Sequence, residues 1–234
     1  LRVNIAKTSL AMAQATLAAE GIVTLPTAIA KNGLEVVENE RKISKSQAYL
    51  TGLVELQDAS SQAVVEAVPL SDGQRVLDLC AGGGGKTLAL AARAKLQVFA
   101  HDHDPRRMRD LPDRAKRAGI KVSVCDNPEK TAPYDVVLTD VPCSGSGSWR
   151  RDPQGKWALT RAQLDTVCAS QAQILDRAAA MVRHGGVLAY ATCSMLNEEN
   201  EAQIAAFIDS SYGWEIIESK RFSPISGGDG FFLC

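Results

Sequence analysis

Between Tyr134 and Ser144 the chain reads YDVVLTDVPCS. This apolar, β-branched run is too short for an ordinary helix and is stopped by Pro142. It predicts a buried parallel strand whose carboxyl end delivers Asp140 and Cys143 into a loop. In open α/β sheets that edge is where ligands bind. A second run of the same kind, Gly186 to Ala191 (GVLAYA), ends in Thr192 and Cys193. Two strands can thus present two thiols to one crevice.

A chain of 234 residues with 45% hydrophobic content builds one full-sized core, with a small lobe appended. A formal net charge of −1 gives no global pull toward nucleic acid, so any such partner must meet a local patch. No apolar stretch reaches the length of a membrane span, and nothing near Leu1 resembles a signal peptide. A soluble, cytoplasmic monomer is expected. Leu1 stands in place of an initiator methionine and the chain ends in FFLC, which is compatible with a fragment.

The six cysteines are spread over a domain whose core needs no staples, so reduced thiols are expected. None is spaced C-x-x-C, and only His101, His103 and His184 could add imidazoles, so no metal site is expected. His101 and His103 read as solvated residues beside Asp102.

LRVN predicts a short strand, Leu10 to Glu20 an Ala-rich helix, and Ile22 to Glu38 two weak strands around Pro26 and the turn Lys31-Asn32-Gly33. Residues 1–70 are taken as a small N-terminal α+β lobe and 71–234 as the main domain. Gln57 to Ala67 (QDASSQAVVEA) is a polar loop leading into a helix. From Gln74 onward strand and helix alternate, the signature of a doubly wound sheet. Strands are predicted over 75–79, 97–101, 122–125 and 134–139, and helices over 86–94 and 106–118, the last closed by Gly119. Residues 144–157, rich in Gly, Arg and Trp, are expected to be irregular. Thr160 and Gln163 form a capping box for a long helix to Arg183, stopped at His184-Gly185-Gly186. Asn197 begins a helix with Glu198, Glu199 and Glu201 at its positive end and Ile204, Phe207 and Ile208 toward the sheet. Strands near 214–218 and 231–233 close the chain as a hairpin.

Val76 to Thr87 reads VLDLCAGGGGKT, a strand, a glycine loop and a helix start. Consecutive glycines let a ligand lie against peptide N–H groups. A phosphate loop, G-x-x-x-x-G-K-[ST], fails because Cys80 stands where its first glycine belongs, and G-x-G-x-x-G fails at Thr87. What remains is an acidic strand, a glycine loop and Asp102 at the next strand end, placed to accept from a ribose diol. Asp104 competes with Asp102 through a one-step register shift. A nucleoside cofactor without an essential pyrophosphate fits, and S-adenosylmethionine is the obvious one. The loop Cys80, Ala81, Gly82, Gly83, Gly84, Gly85 and Lys86 would hold its amino-acid end, with Asp126 at the adenosine; Arg107 and Asp140 complete the set. Asp78 reads as structural, and Cys80 contributes its backbone.

VLDLCAGGGGKT, DVPCSGSGSWRRDP and YATCSMLNEENE, in this order, resemble the motifs of the RNA 5-methylcytosine methyltransferases of the Sun (Fmu, Nol1/Nop2) family, nearest in flavour to its RsmB-like ribosomal RNA members. LRVN, QDASSQ and DGFF extend the likeness over essentially the whole chain. Gly83 departs from the family's usual proline, at a loop-entropy cost of roughly 0.4 to 1 kcal/mol. The helical N-terminal RNA-binding domain of RsmB-like members has no counterpart here. The resemblance implies a Rossmann-like fold with a seven-stranded, mostly parallel sheet and helices on both faces. It also implies an RNA substrate, ribosomal RNA favoured and transfer RNA possible, with the 1–70 lobe binding RNA.

Carbon 5 of cytosine is a poor nucleophile, and a thiolate added at carbon 6 makes the ring an enamine able to attack a methyl group. Charge pushed toward N3 needs a donor, for which Asp140 is placed. The carbon 5 proton must then leave and the thiol be expelled. Residue type alone does not decide which sulfur attacks; the resemblance assigns Cys193 as nucleophile and leaves Cys143 to product release. It also brings Lys86 to the base and Asp140. Cys125, Cys168 and Cys234 read as core residues. Trp149, Arg150, Arg151 and Lys156-Trp157 interleave cations with aromatics, as suits phosphates and an unstacked base. Two alternatives stay open: methylation of DNA or of another base, and a non-catalytic RNA-binding module.

Overall fold

The computed structural model describes residues 1–234. Strands β1 (Arg2–Val3) and β4 (Val54–Glu55), the hairpin of β2 (Val23–Pro26) and β3 (Leu34–Glu38), and helices α1 (Leu10–Ala19) and α2 (Gln47–Leu50) make the N-terminal lobe. Ala13 and Leu17 of α1 bury against Ile22, Leu34 and Val54, giving the lobe its own small core. Helix α3 (Ala59–Ala67) belongs elsewhere by packing, because Val64, Val65 and Val68 join the core of the large sheet.

That sheet is built from β5 (Arg75–Asp78), β6 (Gln97–Ala100), β7 (Ser123–Val124), β8 (Tyr134–Asp140) and β9 (Val182–Thr192), with β10 (Lys220–Phe222) and β11 (Phe231–Leu233). Its order is β10-β11-β9-β8-β5-β6-β7, and only β11 runs against the direction of the other strands. Alternation along the strands fills both faces. Val76, Val136 and Leu138 meet α3 and α4 (Gly85–Ala91), while Leu77 and Val137 meet Ala178 of α7 (Arg161–Ala179). From β5 the chain builds outward through β6 and β7, then returns to place β8 on the other side of β5. The switch point therefore lies between β5 and β8, at the carboxyl ends where a ligand crevice opens.

Several expectations are corrected. The helix expected over 106–118 is a 3-10 turn, Pro105–Met108, followed by α5 (Leu111–Ala118), because Pro112 has no N–H and tolerates only a first helical turn. The region 144–157 contains a 3-10 turn at Ser146–Ser148 and a short helix α6 (Pro153–Ala158) begun by its proline. The Thr160–Gln163 capping box is present, yet α7 ends at Ala179. His184-Gly185-Gly186 lies inside β9, where Gly185 takes φ +70° and the register with β8 slips. The terminal hairpin uses Lys220–Phe222 in place of 214–218, since Trp214 packs edge-on against Phe207. The helix expected from Asn197 is a 3-10 turn, Asn197–Glu199, then α8 (Glu201–Ser210), broken at Asn200. His101 is buried, its Nδ1 3.0 Å from the Cys125 carbonyl and its Nε2 3.2 Å from Arg177.

Candidate active site

A cleft of about 530 Å³ opens at the switch point. The glycine loop after β5 forms one wall, and the loops after β8 and β9 form the other. Cys143 and Cys193 both line it, with their sulfurs 3.2 Å apart. β8 and β9 are parallel neighbours paired up to Asp140 and Ala191, so the residues just beyond each strand emerge side by side.

The two thiols are unequal. The hydrogen bond from Cys143 holds Cys193 below an ordinary thiol, against burial and the Asp140 carboxylate, with the Lys86 ammonium adding a smaller pull in the same direction. Cys143 is pushed up, first by its bond to Cys193 and then by burial, with the Glu199 carboxylate adding to it. Cys80, which lines the cleft, is pushed by burial to about 12. Burial also raises Cys125, Cys168 and Cys234.

Lys86, only 8% exposed, points inward from the first turn of α4. A lysine is disfavoured at the positive end of a helix, and compensation comes from Asp140, 2.7 Å away, and from the Phe231 ring, whose centroid lies 4.8 Å from Nζ. The DGFF stretch thus backs the lysine. Ala81, Gly82, Gly83 and Gly85 also line the cleft. Gly84 does not: at φ +81° it turns the chain into α4, and a Cβ there would sit 2.3 Å from Leu111.

Asp102 is buried and organises the loop, accepting from Gly82 N–H at 2.8 Å and Asp104 N–H at 3.0 Å, with Arg107 at 3.3 Å. It faces a second cavity of about 350 Å³ with Leu79, His103, Ile174 and Arg177. Cys80, Arg107 and Pro142 line both cavities, so the Arg107 side chain stands between two compartments of one groove. Asp104 lines neither and is bonded to Arg106. Asp126 is exposed and outside both cavities.

Asp78 holds the structural place expected of it and leaves one oxygen over. One carboxylate oxygen accepts from Thr87 at 2.7 Å, while the other, Oδ1, is buried without a partner on a residue that lines the cleft. Burial raises its carboxyl to about 7. An acid closing the strand before a glycine loop was the available signal. Leu56 and Gln57 reach in from the lobe side, Ser61 from α3 and Arg114 from α5; the QDASSQ run hinted at Gln57 and Ser61 alone.

The aromatic and basic loop divides in two. Arg150 and Arg151 both bind Asp229, which is 1% exposed, and Arg150 also reaches Asp58. They tie the loop to the C-terminal segment and to α3. The Trp149 indole N–H is buried without an acceptor beside Gly155. Trp157, 82% exposed, with Lys156 over its ring, is the aromatic that faces solvent.

A glycine loop at the switch point, an acid ending the next strand and one continuous groove describe a pocket shaped for an adenosyl compound. Solved structures agree. PH0851, 30% identical, matches 99% of this chain and 57% of its own at a TM-score of 0.89. A methyltransferase homologue from Pyrococcus horikoshii, 27% identical, matches 99% of this chain and 83% of its own at 0.85. The fold is the Rossmann-like fold of S-adenosylmethionine-dependent methyltransferases. Within that class, residues 65–230 match the model of the 16S rRNA methyltransferase RsmB/F family, and the chain belongs to it. Ribosomal RNA small subunit methyltransferase B from Salmonella arizonae is 34% identical over 218 residues, 85% of this chain and 50% of that protein. The chain spans about half the length of the curated relatives it matches.

Proposed function

We propose that this chain transfers a methyl group from S-adenosylmethionine to carbon 5 of cytosine in RNA, ribosomal RNA above all, through a cysteine adduct at carbon 6. The observation that carries the reading is the pair of sulfurs 3.2 Å apart, with Lys86 and Asp140 lining the same cleft. A cofactor loop alone defines a methyltransferase; a polarised thiol pair beside it suits a base that must be activated covalently.

The residues fit the cofactor. Asp78 leaves a buried oxygen for an ammonium group, Asp102 faces the second compartment as an acceptor for hydroxyls, and the loop lets a ligand approach its backbone. When bound there, S-adenosylmethionine supplies an electrophilic methyl group.

On this reading Cys193 adds to carbon 6, and the electrons displaced toward N3 are met by a proton held by the Lys86–Asp140 pair. Once Cys193 is bonded to carbon its charge is gone, and with it the interaction that held the Cys143 proton. Cys143 can then give its proton to water and take the carbon 5 proton, directly or through water; the electrons of the broken C–H bond form the 5,6 double bond and expel Cys193 as thiolate, and N3 returns its proton to the Lys86–Asp140 pair. The target nucleotide must be turned out of its stack. Trp157 and Lys156 suit the RNA, and the 1–70 lobe, whose flank reaches the cleft at Leu56 and Gln57, is assigned to RNA as well. No helix is long and apolar enough to cross a membrane.

Incubation with methyl-labelled S-adenosylmethionine and unmodified RNA tests the reading. Label in 5-methylcytosine is expected. Label in another base or in DNA would replace the substrate assignment, and RNA retention without label would point to a non-catalytic module.

A further inference from the structure

Glu199 is the one fully buried carboxylate beside the thiols that the chemistry above does not use. It was expected at the positive end of a helix, yet the 3-10 turn Asn197–Glu199 carries it inward. Its neighbour Glu198 takes a cation, Arg161, whereas Glu199 is surrounded only by neutral donors. Oε1 accepts from the Ser144 N–H at 2.7 Å and from Gln171 Nε2 at 3.0 Å. Oε2 accepts from the hydroxyls of Ser144 and Ser194. A buried carboxylate is tolerated only when its lone pairs are filled, and four donors fill them.

Those donors have a particular address. Ser144 directly follows Cys143, and Ser194 directly follows Cys193. Gln171 Nε2 also donates to the Pro142 carbonyl, on the other side of Cys143, at 2.9 Å. One carboxylate therefore grips both cysteine-bearing loops, which are fifty positions apart in sequence. Ser146 reinforces the seam: its hydroxyl accepts from Met195 N–H at 2.8 Å and lies 3.0 Å from that of Ser194.

Resting on the methyl-transfer reading above, we propose that Glu199 is a positioning residue. It clamps the loop after Cys143 to the loop after Cys193 and so sets the separation of the two sulfurs. Glutamine at this position keeps the clamp, because its oxygen serves the Ser144 N–H and Gln171 while its amide donates to the serine hydroxyls, which can turn to accept. Alanine releases both loops.

The test compares wild type, Glu199→Gln and Glu199→Ala in two assays, a thiol crosslink without RNA or cofactor and steady-state methyl transfer with both. Diamide, an azo compound that takes two electrons and two protons from a dithiol, reports how readily Cys143 and Cys193 meet, with the linked peptide identified by mass spectrometry. Glu199→Ala is expected to slow this crosslink and to lower kcat by about tenfold or more, with the KM for cofactor unchanged, since small displacements of reacting groups are costly. Glu199→Gln is expected to recover most of both losses. Crosslinking of Glu199→Ala at the wild-type rate, or of Glu199→Gln as slowly as alanine, overturns the proposal. Should Glu199→Ala not fold, Ser194→Ala removes the tether from the Cys193 loop alone; it must also slow the crosslink, and a wild-type rate overturns the clamp. Wild-type protein that labels no RNA while the crosslink ranking holds rejects the transfer reading and supports the clamp.

Discussion

The sulfurs of Cys143 and Cys193 lie 3.2 Å apart, close enough for one to donate its proton to the other. Two thiols that share a proton divide their labour: the thiolate can attack, and its partner holds a proton until the attack is over. The bond between them lowers Cys193 and, with burial, raises Cys143.

That division makes the two cysteine variants differ. Cys143→Ala is expected to accumulate a covalent protein–RNA adduct, seen as a slow band on a denaturing gel, because attack proceeds and release stalls. Cys193→Ala should form none. The opposite pattern would exchange the two roles.

The bond from Cys143 and, to a smaller extent, the Lys86 ammonium hold Cys193 below its ordinary thiol value. Removing Lys86 in Lys86→Met raises that pKa again. Each unit of rise costs about tenfold in thiolate at a pH below it. Iodoacetamide alkylation of Cys193 should therefore slow at pH 7 and converge with wild type at pH 10; identical profiles would remove Lys86 from the electrostatics.

Asp78 ties pH to stability. Its folded carboxyl ionises near 7 against 3.8 unfolded, so the protonated form favours the fold and is fully effective below about pH 4. Between those values the unfolded chain loses its proton first, stability falls as pH rises, and the loss levels off above 7 at no more than about 4 kcal/mol. Asp78→Asn cannot ionise and keeps an acceptor for Thr87. Urea denaturation should show it more stable than wild type at pH 8 but not at pH 4, with cofactor affinity lost. Parallel pH dependences of the two proteins would show that Asp78 is not the group responsible.

Gly83 lies outside the left-handed region and its N–H donates to no protein acceptor, so proline costs no hydrogen bond there. Gly83→Pro should stabilise the fold by about 0.4 to 1 kcal/mol by restricting the unfolded chain. A lower midpoint on thermal melting would show that the loop conformation rejects the ring.

Trp157 is the open face for a stacked base. Trp157→Ala should weaken RNA binding by about 1 to 3 kcal/mol in a filter or anisotropy titration, with stability unchanged. Arg150→Ala should instead lower stability, because it leaves the buried Asp229 with only Arg151.

The strand–helix alternation from Gln74, the glycine loop, the Thr160–Gln163 cap and the two cysteines at strand ends were legible in the chain itself. Each depends on short-range rules: side-chain periodicity, backbone freedom and local capping. Boundaries failed where a local rule met a longer constraint. Pro112 split an apparent helix, and Trp214 went to the core in place of a ladder. The larger losses concerned residues whose meaning lies in what they face. The Asp229 carboxylate between Arg150 and Arg151, the unpartnered second oxygen of Asp78 and the inward turn of Glu199 could not be read from the chain. Strand order, which sets β9 beside β8, brings the two sulfurs together, and no spacing along the chain encodes it. Local sequence determines which groups are offered at the end of each strand; only the packing of the sheet decides which of them meet, because contact energies fall off within a few ångströms while the chain separates the partners by fifty residues or more.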